Sequence, residues 1–202
     1  MTISLSRPCP QPAVTSIRQL LRIETHETHQ KLHHHDGFAR LAAGTISRAN
    51  YQKLLARLLG FHRPFEQALS SPPGRSILLH EDLLALDVDA KRIAALPDCP
   101  AIPLLTTNAR RLGARYVIEG SVLGGRQLAR RLDHLLGAGQ EQGRQFLAST
   151  ELPSGNSWQI YLNDLTSAPT DRTTQIEITA AACEIFTIFE QWLAGWRASA
   201  HD

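Results

Sequence analysis

Two stretches of the chain hold groups whose type and spacing could support chemistry. The first, His26 to His35, reads HETHQKLHHH and carries five of the nine histidines. On a helix, His26, His29 and His33 fall on one face at steps of three and four. That spacing can offer two imidazoles to zinc. HETHQ falls one residue short of the metalloprotease HExxH pattern, which needs its histidines at i and i+4 with the glutamate between them. No third ligand follows at a recognisable spacing, so zinc hydrolysis is disfavoured. The second stretch, Tyr116 to Gly125, reads YVIEGSVLGG. Its three glycines interrupt helical periodicity, and each costs about 1 kcal/mol relative to alanine inside a helix. A helix that keeps them ends there, bends there, or lets something press against bare backbone.

The elements that must position these stretches are helical. Ile17, Leu20, Leu21, Thr25, Thr28 and Leu32 follow helical steps, predicting one helix from Ser16 to about Asp36-Gly37. A short apolar piece, Phe38 to Ala43, follows. Ser47 caps a long amphipathic helix that Pro64 should kink or end. Helices are expected at Arg75 to Leu86 and Asp89 to Leu96, then a rigid loop through Pro97, Pro100 and Pro103. A helix over about 104–136 carries the glycines. Asn156 or Ser157 caps the next helix, and Thr174 with Glu177 has capping-box spacing for the last. No alternating strand is found. The fold class is all-α, with seven to nine helices.

A length of 202 residues and 43% hydrophobic content suit a single domain with a sizeable core. We read 1–14, with three prolines, as a flexible tail and 15–198 as the helical domain. The net charge of +2 is spread without a basic run, which argues against nucleic acid. No apolar run is long enough to span a bilayer, and no signal-peptide pattern opens the chain. Three widely spaced cysteines, Cys9, Cys99 and Cys183, suggest neither a disulfide framework nor a cysteine-based zinc site. A cytoplasmic protein without a membrane partner is expected.

The His26–His35 histidines have a plain reading as solvated groups near a helix C-terminus, where positive charge is favoured. It fits His26, His33, His34 and His35, whereas His29 lies close to the stripe of Leu21, Thr25 and Leu32. At this point the ordered blocks carry a resemblance. LRIETHETHQKL resembles the heme oxygenase pattern around its heme-ligating histidine, and ARYVIEGSVLGG resembles the distal-helix signature of bacterial members. NYQKLLARLLGFHRPFEQAL, HEDLLAL, GNSWQIYLNDL and AACEIFTIFEQWL resemble further helical blocks, in order, from about Ile17 to Trp196. The type resembled is the biliverdin-producing one that often accompanies phytochromes.

The resemblance implies the heme oxygenase fold, with heme between a proximal helix and a kinked distal one. Heme b is implied as both substrate and cofactor, opened to biliverdin with release of carbon monoxide and ferrous iron. Dioxygen, an electron donor such as a ferredoxin or a reductase, and a bacteriophytochrome that receives biliverdin are the implied partners. His29 is implied as the iron ligand through a neutral imidazole. Gly120 and Gly124, with Ser121 between them, are implied as the catalytic distal segment. Arg22, two turns before His29, is implied as a propionate partner, arginine suiting carboxylates. Family members also use basic residues on the helix before the last, but none occurs here between Arg144 and Arg172. Arg126, Arg130 and Arg131 are substitutes or surface charges. Tyr116 lines the distal side or is a core aromatic, and Phe186 and Phe189 wall the pocket or pack the core. Trp158 and Trp192 read as core. A heme-binding or heme-transfer protein on the same scaffold, without ring cleavage, is the alternative.

Overall fold

The computed structural model describes residues 16–72, 74–148 and 157–198. The expected tail and the Asn156 cap fall outside them. Eleven helices and no strand occur among the described residues, so the chain is all-α. In order they are α1 (Ile17–Glu24), α2 (His26–His33), α3 (Asp36–Ala43), α4 (Arg48–Ala68), α5 (Arg75–Ala85) and α6 (Ala90–Ala94). They continue with α7 (Asn108–Arg130), α8 (Asp133–Leu136), α9 (Gln145–Ala148), α10 (Ser157–Thr166) and α11 (Arg172–Leu193).

The count exceeds seven to nine because short polar interactions divide long periodic runs. Thr25 splits the first predicted helix: its backbone sits at φ −96°, ψ −3°, and both its amide and its hydroxyl donate to the Leu21 carbonyl. Such back-bonding bends helices. His35, expected in solvent, is half-buried and bonded to the Leu193 carbonyl at 3.1 Å, tying the α2–α3 corner to the end of α11. Helix α7 starts at Asn108 rather than near Leu104, because Thr107 Oγ1 accepts the Arg110 amide as its cap. It stops at Arg130. The buried Arg144 guanidinium donates to the Ala129 and Gly137 carbonyls and to Asp133, satisfying the end of α7 and of α8. Asp171, not Thr174, caps α11, and Thr174 donates to it.

Pro64 neither ends nor breaks α4. Proline deprives the carbonyl four residues earlier of its usual donor. Here that carbonyl belongs to Gly60, and it accepts the Cys99 amide at 2.7 Å. The loop after α6 comes this close because residue 60 is glycine: a Cβ there would overlap the Pro97 carbonyl oxygen.

Helices α7 and α11 form the central crossing, and α11 also packs on α1, α2 and α4. At Gly113 the two helices meet with no room for a side chain; a Cβ would overlap the Ile178 carbonyl oxygen and lie 2.9 Å from the Ala181 Cβ. Helix α10 rests on α7, while α5 and α9 bridge α4 to α7. Asp82 of α5 starts α9 by accepting the Gln145 and Phe146 amides at 2.8 and 2.9 Å. Burial pushes its carboxyl up to about 6.

Because Gly113 is the contact between the two longest-packed helices, Gly113→Ala is expected to destabilise the protein by about 1–3 kcal/mol through overpacking. Denaturant unfolding measures this, and unchanged stability would show that α7 and α11 are not pressed together at that point.

Candidate functional site

His29 projects from α2, and its ring meets two others edge-on. Phe186 of α11 lies at 6.3 Å with an interplanar angle of 85°, and His33 at 4.6 Å and 80°. The imidazole remains exposed, and neither ring nitrogen is hydrogen-bonded among the described residues. Its pKa is lowered, first by burial against the neighbouring helix and then by His33 and His26. All three causes favour the neutral ring, whose bare nitrogen is the form that binds a metal.

Phe186 links this histidine to α7. Its ring stands edge-on to Tyr116 at 6.5 Å, and Tyr116 is half-buried one helical turn before Gly120. Tyr116 also neighbours Trp158 and Tyr161 of α10 at 6.2 and 6.4 Å. Phe189 lies instead against Phe61 of α4 at 4.7 Å. Arg22 is exposed on α1 and makes no ion pair among the described residues. The Thr25 turn places it on a different helix from His29, so the two are not neighbours on one uninterrupted face.

The four glycines of α7 divide into two kinds. Gly113 and Gly125 are packing glycines: the first meets Ile178, and a Cβ on the second would lie 2.8 Å from the Leu147 carbonyl oxygen of α9. Gly120 and Gly124 are not. A Cβ at Gly120 would find Trp158 at 3.8 Å, ordinary contact, and one at Gly124 would meet nothing within 4 Å among the described residues. The helix runs through all four without ending. Their helix-propensity cost at 120 and 124 is therefore uncompensated by packing among the described residues. Ser121 is exposed and donates its hydroxyl to the Ile118 carbonyl at 2.7 Å, leaving only acceptor capacity for anything outside the helix.

A buried polar cluster that the sequence pattern does not announce lies beside the glycine segment. Glu66 of α4 accepts the amides of Gly74, Arg75 and Ser76, capping α5, and also takes the Ser76 hydroxyl. Arg75 then reaches Glu119 of α7 at 3.2 Å. His62, only 2% exposed, stands in the same cluster with no hydrogen-bond partner for its Nδ1 among the described residues. Burial, with the Arg75 charge second, pushes its imidazole down to about 3. The only sequence signals were a histidine and a glutamate four apart on the apolar side of α4. A separate cleft of about 460 Å³ lies between the start of α1 and the α10–α11 corner, near Ile17, Leu162 and Ile178. Arg18 is its sole ionisable lining residue among the described residues, and His29 does not line it.

A neutral, unengaged imidazole, an aromatic wall and a helix with side chains deleted at 120 and 124 form the kind of site that holds a flat, apolar, metal-bearing ring. These residues are compatible with heme: His29 would hold its iron and the aromatic rings would pack on its face. The comparisons agree with that class. The heme oxygenase family model matches residues 15–195, and the chain belongs to that family. No curated protein sequence matches it. Among solved structures, the heme oxygenase of Leptospira interrogans superposes with a TM-score of 0.67 at 19% identity, covering 89% of this chain and 98% of that one. Heme oxygenase-1 of the cyanobacterium Synechocystis, solved in complex with heme, gives 0.65 at 15% identity, over 89% and 91% of the two chains. At these identities the superpositions show the fold.

Two expectations test the site without any ligand. Gly124→Ala should stabilise the ligand-free protein by up to about 1 kcal/mol, because alanine is the better helix former and its methyl group meets no atom. A loss of thermal stability would contradict the open surface at that position. The second concerns acid. The unfolded chain protonates His62 near its ordinary value of 6.5, whereas the folded one resists until about 3. This group's contribution is thus complete above 6.5 and is lost as pH falls toward 3. Asp82, raised from 3.8 to about 6, acts in the opposite sense between those values. Its effect is common to the native protein and His62→Gln, so the difference between their stability–pH curves isolates His62. That difference should shrink steadily on acidification below 6.5, and a pH-independent difference would place a charged imidazole in the core.

Proposed function

We propose that this chain opens heme oxidatively to biliverdin, releasing carbon monoxide and ferrous iron, with heme b as substrate and cofactor. The observation that carries the reading is the sorting of the glycines. Two of the four in α7 are consumed by helix packing, and the remaining two leave room for a Cβ among the described residues, in ordinary contact with Trp158 at Gly120 and with nothing within 4 Å at Gly124.

In this reading His29 holds the iron through its neutral imidazole, and Phe186 and Tyr116 supply flat apolar contact. Gly120 and Gly124 bring backbone close while leaving room for dioxygen. Ser121, its proton committed to Ile118, offers a lone pair rather than an acid. Arg22, exposed and unpaired among the described residues, is the proposed propionate partner. Phe189, proposed as a further aromatic of the pocket wall, packs against Phe61 of α4. Bound heme supplies the redox chemistry, with dioxygen and electrons from a donor such as a ferredoxin or a reductase; the protein supplies orientation and steric control. No helix among the described residues is long and apolar enough to cross a membrane, in keeping with a proposed cytoplasmic enzyme. The resemblance to phytochrome-associated members proposes a bacteriophytochrome as recipient of the pigment.

The deciding experiment adds heme, dioxygen and a reductant system and identifies the pigment by chromatography. Biliverdin is expected from the native protein. His29→Ala should lose the axial-ligand signature of the ferric heme spectrum and reduce pigment to background. Stoichiometric heme uptake by the native protein without pigment would assign it to heme binding or transfer instead. An unchanged spectrum in His29→Ala would remove that residue as the ligand.

A further inference from the structure

The buried cluster beside the glycine segment touches α7 one residue before Gly120. We propose that the Arg75–Glu119 ion pair positions the glycine segment of α7, with Arg75 and Glu119 as positioning residues for the reaction. The proposal rests on the reading of Gly120 and Gly124 as the wall of the heme pocket.

Local physics makes such a device necessary. Residues 120, 124 and 125 are all glycine, so this part of α7 has weak intrinsic helicity and few side chains with which to hold its place. It must be held from outside. On its C-terminal side, bare backbone at Gly125 lies against the Leu147 carbonyl of α9. On its N-terminal side, Val117 and Ile118 pack in the core, and Glu119 adds an ion pair to Arg75.

That pair is unusual within this molecule. The Arg75 and Glu119 side chains are 9% and 16% exposed, whereas every other ion pair among the described residues has a partner at least 42% exposed. A solvated pair contributes little. A desolvated one resists rotation and sliding, since moving either helix would leave a charge buried and unpaired. Arg75 is itself immobilised from behind: its own amide and those of Gly74 and Ser76 converge on Glu66 Oε1 at 2.8–3.2 Å. Glu66 and Glu119 both bear on the guanidinium, and His62 stays neutral beside it. The rigid chain thus runs from α4 through the α5 N-terminus into α7, and ends at the residue preceding Gly120.

Stability alone would not require this arrangement, because apolar residues of similar volume often replace a buried ion pair without loss. That substitution separates the two roles. The double variant Arg75→Met/Glu119→Leu and the single variant Glu119→Gln are compared with the native protein in three measurements. These are thermal unfolding, amide hydrogen exchange in the ligand-free protein, and the infrared C–O stretch of the heme–carbon monoxide complex.

The double variant is expected to unfold close to the native temperature. Its amides from Ile118 to Gly124 should nevertheless exchange about tenfold faster or more, while the rest of α7 is unaffected. Its C–O band should broaden or shift, and turnover should fall by about one to two orders of magnitude, as expected for a misplaced reacting group. Glu119→Gln, which keeps the side-chain shape, should show the same exchange pattern. Native exchange in that segment together with a native C–O band in either folded variant overturns the proposal and leaves the pair a packing element. If the native protein itself takes up no heme, the heme oxygenase reading fails. The exchange comparison then still decides whether the ion pair holds the segment.

Discussion

Everything in this molecule is referenced to the place where α7 and α11 touch backbone to backbone. Gly113 is the permissive residue, and the Ile178 carbonyl occupies the space its side chain would need. From that crossing both helices continue in the same sense. Phe186 follows Ile178 by two turns, about 12 Å along the axis, and Gly120 follows Gly113 by about 10 Å. The aromatic wall and the glycine segment are therefore set side by side by a single contact. Phe186 then fixes where α2 can lie, because His29 packs edge-on against it. A shift of the crossing would move the histidine, the wall and the glycines together.

Around that reference the chain uses buried polar groups where simple hydrophobic packing would leave freedom. Glu66 gathers three amides at the start of α5, Asp82 gathers two at the start of α9, and Arg144 closes the ends of α7 and α8. All three side chains act on helix termini, where backbone groups lack intrahelical partners. These termini lie around the glycine-bearing helix. A weak helix is thereby held by strong ends.

The sequence disclosed the helical class, most long helices and the two stretches that carry the proposed site, because each is written in local periodicity or in costly glycine. The ordered blocks pointed to the family that the 15–195 match then showed. Boundaries were less visible. Thr25 looks like one more residue of a helical stripe until its hydroxyl is seen turned back on Leu21. Thr174 and Glu177 have the spacing of a cap, but Asp171 outcompetes them, and Glu177 instead accepts from Thr107 at 2.6 Å. The difference between Gly113 and Gly124 could not be read at all. Both are glycines in one helix, and only the neighbours contributed by other helices distinguish them. Arg75 and Glu119 were hidden for the same reason, being 44 positions apart.

Pro64 shows what such long-range completion means for the order in which structure forms. The carbonyl it leaves without a local donor is served by Cys99, a residue far later in the chain than α4. The first half of α4 can gain helical structure from its own sequence, but the half beyond Gly60 reaches full hydrogen bonding only when the proline-rich loop docks. Its maturation is thus a tertiary event, governed by chain closure rather than by helix propagation. A helix that reads as one element in space is, in time, two.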